Sequence, residues 1–184
     1  NRAARSLEWP FGRSSKRSSE GEVMSMKHVL DSNLDDSKRI VVIDGLKKFL
    51  ADTYTLYLTT HNFHWNVTGP HFNSLHQMFM VQYNELWLAV DLIAERLLTL
   101  GSCAPGSYKQ FAQLTSLPDV PDSPPEAMEM VSLLMKGNHL AARTARSVVP
   151  DAEEIGDQAT SDLLVSRIAV HEKVAWMLRA TLAG

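Results

Sequence analysis

Apolar residues recur along this chain at three- and four-residue steps, and no segment shows the period-two alternation of a half-buried strand. From Ser37 onward Val42, Leu46, Phe49, Leu50, Thr53, Tyr57 and Thr60 fall on one helical stripe, which predicts a long helix over about 37–66. A second stripe, Leu75, Phe79, Tyr83, Leu86, Val90, Ile93 and Leu97, starts after Pro70 and stops at Gly101, since a glycine commonly follows the last helical turn. The link between the two is only a few residues long. They are therefore expected to lie antiparallel, each about 40 Å long.

Residues 101–122 are broken by Gly and Pro and carry a short helix candidate around Tyr108 to Leu114, so they read as a crossover. Ser123-Pro124-Pro125-Glu126 has the form of a capping box and predicts that a third helix starts there. Pro150 is expected to stop that helix at about Val149. A fourth follows from about Ala152 to Leu182, with Leu164, Ile168, Ala175, Trp176 and Leu182 on its stripe. The expected fold is all-α: a four-helix bundle with a long crossover, containing a short helix, between helices 2 and 3, which is the connectivity of ferritin-like bundles.

Of the 184 residues, 45% are hydrophobic and 21% charged, and the formal net charge is -3, as in an ordinary globular domain. A single cysteine, Cys103, excludes an intrachain disulfide and a thiolate metal cluster. No apolar run is long enough for a membrane span, and the basic start lacks the apolar core of a signal peptide, so a cytoplasmic protein is expected. Residues 1–35 read as a basic, flexible tail and 36–184 as the bundle. The tail carries Arg2, Arg5, Arg13, Lys16 and Arg17 close together, a charge pattern suited to non-specific DNA binding, with association with the nucleoid if that binding is real. It begins with Asn1, and Met24 and Met26 lie downstream, so part of it reads equally well as an expression scar.

Four of the seven histidines, His61, His64, His71 and His76, crowd the junction of the first two helices. Farther along the second helix Asp91 and Glu95 stand four apart, on one face of an otherwise apolar segment. Imidazole and carboxylate donors without thiolates suit iron, zinc or manganese. A di-iron bundle ordinarily builds its centre within one chain from Glu-x-x-His motifs, and this sequence has none. His76 and Asp91 are fifteen residues apart, about 22 Å along a helix, too far for one metal ion to bridge. An antiparallel hairpin brings His64 level with His76 as one half-site. Asp91 and Glu95 form the other, and a two-fold partner would bring the halves together. The remaining histidines, His28, His139 and His171, are expected to be structural, His71 a surface loop residue, and Trp87 and Trp176 core or interface aromatics.

The segments HNFHWNVTGPHFNSLHQMF and DLIAERLLTLG, with GDQATSDLL and VHEKVAWMLR near the end, resemble the Dps family of mini-ferritins, the DNA-binding proteins from starved cells. The resemblance covers about residues 36–182. It implies a hollow dodecamer that oxidises Fe(II) to Fe(III), preferentially with hydrogen peroxide, at ferroxidase centres shared between subunits, stores the ferric oxide and protects DNA from oxidative damage. By position His64, His76, Asp91 and Glu95 match the ferroxidase ligands, and Zn or Mn could occupy such a site in isolated protein. Trp65 matches a tryptophan beside the centre that intercepts radicals, and His61 is taken as a packing or supporting residue. Glu154, Asp157 and Asp162 would line acidic three-fold pores. One position departs from the pattern: Met80 stands where many relatives carry a carboxylate, and a thioether is a poor ligand for hard iron. Against the enzyme stands a second reading, a non-enzymatic DNA-compacting protein acting through its tail.

Overall fold

A computed structural model describes residues 36–183, and those residues form five helices and no strand. The tail and its candidate DNA-binding residues, like His28, lie outside the described residues. Helix α1 spans Asp36–Asn66, α2 Phe72–Thr99, α3 Tyr108–Leu114, α4 Ala127–Glu154 and α5 Gln158–Leu182. The four long helices make the ferritin-like bundle and α3 sits in the crossover, as the sequence predicts.

Most of the periodic positions on α1 and α2 are buried, including Leu46, Phe49, Leu75, Phe79, Ile93 and Leu97. Gly45 allows α4 to come close, because a Cβ there would meet Val148 Cγ2 at 2.5 Å. The α1–α2 turn is held by Gly69 at φ 98°, where an L side chain would be strained, and by the Phe72 N–H donating to the Gly69 carbonyl at 3.0 Å.

Three boundaries differ from expectation. Helix α4 starts at Ala127 with Glu126 as its N-cap, and no side chain caps it, so the Ser123 box is not formed. Pro125 explains this, since a proline pushes the residue before it, here Pro124, out of the helical region. Nor does Pro150 stop α4, which runs on to Glu154. Pro150 and Arg146, whose carbonyl loses its helical donor, are both exposed, so that carbonyl can be hydrated. The extra turn buries Ala152 completely. It ends where Gly156, at φ 74°, turns the chain, with Asp157 N–H on the Ala152 carbonyl at 2.8 Å and Gly156 N–H on the Glu153 carbonyl at 3.0 Å. Helix α5 accordingly begins at Gln158, six residues later than the pattern suggests.

The working capping box lies elsewhere. At α3 the Ser107 hydroxyl accepts from the Gln110 N–H at 3.3 Å, and Gln110 Oε1 accepts from the Ser107 N–H at 3.1 Å. The crossover is latched to α1 and α4 by one buried carboxylate: Asp52 accepts from the Thr115 hydroxyl at 2.9 Å, the Thr144 hydroxyl at 2.6 Å and the Ser116 N–H.

Candidate metal centre

The short hairpin sets the last turn of α1 against the second turn of α2, and this places His64 and His76 face to face. Their rings stack with centroids 3.7 Å apart and planes 21° from parallel. Each ring also bonds to the other residue's backbone, His64 Nδ1 to the His76 carbonyl and His76 Nδ1 to the His64 carbonyl, both at 2.8 Å. A carbonyl can only accept, so both Nδ1 atoms carry the proton, and in the neutral imidazole Nε2 is then the ring nitrogen that holds the lone pair. That is the tautomer a metal-binding imidazole needs, fixed by a second hydrogen bond as in established metal sites. The same bonds satisfy the His64 carbonyl, one of the acceptors left without a helical donor at the end of α1.

An aromatic layer supports the pair. Tyr83 lies edge-on to His64 at 5.1 Å and stacks on His61 at 4.1 Å, while Phe72 packs against His76 at 5.0 Å. His61 is further held by Trp65 at 4.1 Å and by the Tyr57 hydroxyl, 3.3 Å from its Nδ1. Burial, reinforced by His64 nearby, holds the His61 pKa below its ordinary value. His61 thus packs beside the pair, and Trp65 touches it while most of the indole stays exposed. Sequence reasoning assigned Tyr57 and Tyr83 to the apolar stripe alone. The i, i+4 spacing of Tyr57 with His61 is the signal for their contact.

Asp91 and Glu95 project from α2 into solvent, and neither makes a hydrogen bond or ion pair among the described residues. Asp91 borders a surface depression of about 240 Å³ with Trp87, Leu88, Val90 and Ala94. Among the described residues, no group of three or more His, Cys, Asp or Glu side chains is placed to hold one ion. One chain therefore presents an imidazole pair and, separated from it along α2, two exposed carboxylates. Between them Met80, Val81, Trp87 and Leu88 form an exposed apolar strip on α2. Trp87 and Trp176 are both more than half exposed, so neither is a core residue of the single chain.

The candidate pore acids are in unlike settings. Glu154 is exposed and paired with Lys38, and Asp162 is exposed and accepts from Gln158 at 2.7 Å. Asp157 is buried: it caps α5 through the Thr160 N–H at 3.0 Å and pairs with Arg96 at 2.6 Å. His71 is exposed and N-caps α2, and His139 is exposed, taking a hydrogen bond from Arg179 at 3.2 Å. His171 is buried and packs edge-on against Phe49.

Comparison with known proteins adds a family to this geometry. Residues 43–184 match the Ferritin-like domain of the ferritin family. A low temperature-induced protein of Nostoc sp. is 38% identical over 156 residues, covering 84% of this chain and 87% of its own. The DNA protection during starvation protein 2 of Bacillus anthracis is 36% identical over 141 residues, or 77% of this chain and 96% of its own. Among solved structures, a Dps protein from Vibrio cholerae, described as one of the ferritin-like diiron-carboxylate proteins, superposes with a TM-score of 0.77 at 31% identity. It covers 81% of this chain and 93% of that one.

Proposed function

The chain belongs to the Dps family of ferritin-like proteins, and from that premise we propose that it stores iron and protects against oxidative damage by oxidising Fe(II) at centres built by two subunits. The observation that carries this reading is the His64–His76 pair, stacked face to face with each Nδ1 engaged by the other residue's carbonyl, so that Nε2 is the ring nitrogen left to a metal. Imidazoles of that kind, with the carboxylates of Asp91 and Glu95, are a fitting donor set for iron as substrate.

The strip between the half-sites supports the sharing. Met80, Val81, Trp87 and Leu88 are exposed and apolar, and an antiparallel copy of α2 laid along them would bury them. With the two-fold axis near Asn84, midway between His76 and Asp91, the imidazoles of one subunit come level with the carboxylates of the other, twice per dimer. Asp91 and Glu95 neutralise the cations, and His64 and His76 orient them. Two Fe(II) ions give up one electron each. Hydrogen peroxide takes both with two protons and is cleaved to two waters, so no hydroxyl radical is released. Dimers of this kind assemble further into the hollow dodecamer that holds the ferric product.

Complementation between two inactive variants tests the shared centre. His76→Ala and Asp91→Ala should each abolish rapid Fe(II) oxidation. Co-assembled from equal amounts, they should recover about a quarter of the wild-type rate, because half the dimers are mixed and each mixed dimer has one intact site. Recovery of none would overturn the sharing, and wild-type rates in both single variants would overturn the site.

The name carried by the Bacillus anthracis relative speaks of DNA protection, and the basic residues of this chain's tail support a second reading, direct DNA binding. Arg2, Arg5, Arg13, Lys16 and Arg17, repeated over an oligomer, supply a salt-sensitive, sequence-independent attraction for phosphates. A gel shift comparing the full chain with protein starting at Met24 decides it, and equal DNA retention by both would reject the tail as the binding element.

A further inference from the structure

Three side chains in the middle of the bundle, each more than nine-tenths buried, keep one polar atom without a partner: Gln82 Oε1 on α2, and Arg167 Nε and His171 Nε2 on α5. Arg167 and His171 are four apart and so share a face of α5. Their level on α2 follows from two contacts. Arg96 bonds to Thr160 at 2.8 Å, and Glu85 takes Arg167 Nη2 at 3.0 Å with Nη1 on its other oxygen, so the two helices run antiparallel. One turn back along α2 from Glu85 lies Gln82, and one turn forward along α5 from Arg167 lies His171. Register therefore puts the three side chains in neighbouring turns of one stretch of the bundle.

The role of His171 is fixed by its other partner, and that of Arg167 Nε by its chemistry. Asn138 spends its Nδ2 on the Leu134 carbonyl at 2.9 Å, so its Oδ1 is the acceptor for His171 Nδ1 at 2.9 Å. His171 Nδ1 therefore carries the proton and Nε2 is an acceptor. Gln82 Oε1 is an acceptor and Arg167 Nε–H a donor. One donor and two acceptors are the complement of a single water molecule, which accepts once and donates twice. A metal cation or an ammonium cannot accept from Arg167, and an anion cannot donate to His171 or Gln82.

We propose that the bundle centre binds one water molecule, accepting from Arg167 Nε and donating to Gln82 Oε1 and His171 Nε2. Three partners are the usual number for a buried water. The Glu85 side chain, 39% exposed, puts the outer partner of Arg167 in contact with solvent. The water holds the guanidinium edge opposite Glu85 and joins α2 to α5 and, through His171 and Asn138, to α4. A hydrated arginine–carboxylate layer then stands in the bundle interior, where ferritin-like folds can carry an intrachain metal centre.

A high-resolution crystal structure of the full chain tests this directly. The expected result is one density peak at hydrogen-bonding distance from all three atoms, lost or displaced in a Gln82→Met variant whose backbone is unchanged. Direct bonding among the three side chains, or a fully dry layer, would overturn the proposal. Metal-free protein prepared with chelator keeps the peak if it is water, whereas its disappearance on chelation would show a metal and also overturn it. If Gln82→Met does not fold, the wild-type density alone decides.

Discussion

Arg96 and Asp157 join at 2.6 Å across the bundle end where α2 stops and α5 begins, with the Asp157 side chain almost wholly buried. Arg96 also bonds to Thr160, so one guanidinium ties the end of α2 to the first turn of α5. Burial alone would raise the Asp157 pKa, but Arg96 and the two Thr160 hydrogen bonds outweigh it and hold the carboxyl below its ordinary value. A carboxylate lowered on folding adds stability above the ordinary carboxylate range, and that stability is lost as pH falls through the lowered folded value.

Arg96→Met is therefore expected to destabilise the protein by about 3 kcal/mol, because it leaves a buried carboxylate without its cation. The variant should also lose the acid limb that Asp157 contributes. Denaturant titrations at several pH values and one fixed protein concentration measure both effects. Equal stability of variant and wild type at neutral pH would show that the pair contributes nothing.

The latch at Asp52 makes a second expectation. Its carboxylate accepts from Thr115, Ser116 and Thr144, which belong to the end of α3 and to α4. Asp52→Ala removes the acceptor of three donors at once, of which Thr144 is buried and Thr115 half-buried, with an expected loss of about 3 kcal/mol. The damage should be greatest in the crossover, so amide exchange near residues 115–117 should rise more than exchange in α2 or α5. Uniform acceleration along the chain would contradict a local latch.

The periodic stripes made the number and order of helices legible, because burial of α1 and α2 follows a 3.6-residue repeat with little interruption. The errors lie where local punctuation competes with packing. Ser123 has the letters of a capping box, but Pro125 disallows the helical backbone it needs, while Ser107 and Gln110, the same pattern in S-x-x-Q form, close one in the crossover. Pro150 does not end α4 because it and Arg146 are exposed, so the carbonyl it frees can be hydrated while the helix runs on. In the site, spacing alone paired His64 with His76 and separated both from Asp91. The ring stacking and the crossed Nδ1 bonds were not legible, since they depend on side-chain rotamers that a hairpin of known register does not specify. Asp157 shows the same limit: the family resemblance implies a pore acid, and its pairing with Arg96, a residue of another helix, is not written in the local sequence.

His171 predicts a pH dependence of opposite origin to that of Asp157. Burial, with Arg167 nearby, lowers its pKa from 6.5 to about 3, so the folded protein keeps it neutral where the unfolded chain protonates it. Between those values the unfolded state binds the extra proton. Stability therefore rises with pH through this window, and from His171 alone falls by about 1.4 kcal/mol per pH unit below the upper limit. His171→Gln keeps a donor for Asn138 but cannot titrate. Its stability should be flatter between pH 4 and 6, roughly, than that of wild type. An unchanged slope would place the acid sensitivity in other groups.

Met80 gives the most direct test of how the candidate centre is tuned. It lies one turn beyond His76, is 40% exposed, and borders the same α2 face as the imidazole pair. A thioether adds little affinity for Fe(II), so one ion should bind firmly between the imidazoles and the partner's carboxylates while a second binds weakly. Met80→Asp places a hard oxygen donor on that face; the single subunit should tolerate it because the side chain is exposed there, although it belongs to the strip that the partner subunit is proposed to cover. Anaerobic calorimetry is expected to show about one tightly bound Fe(II) per centre in wild type and about two in the variant, with second-site affinity raised roughly tenfold. Two tight ions already present in wild type would mean that another residue supplies the missing donor, and His61, 6.2 Å from His64 between ring centroids, is the side chain to substitute next.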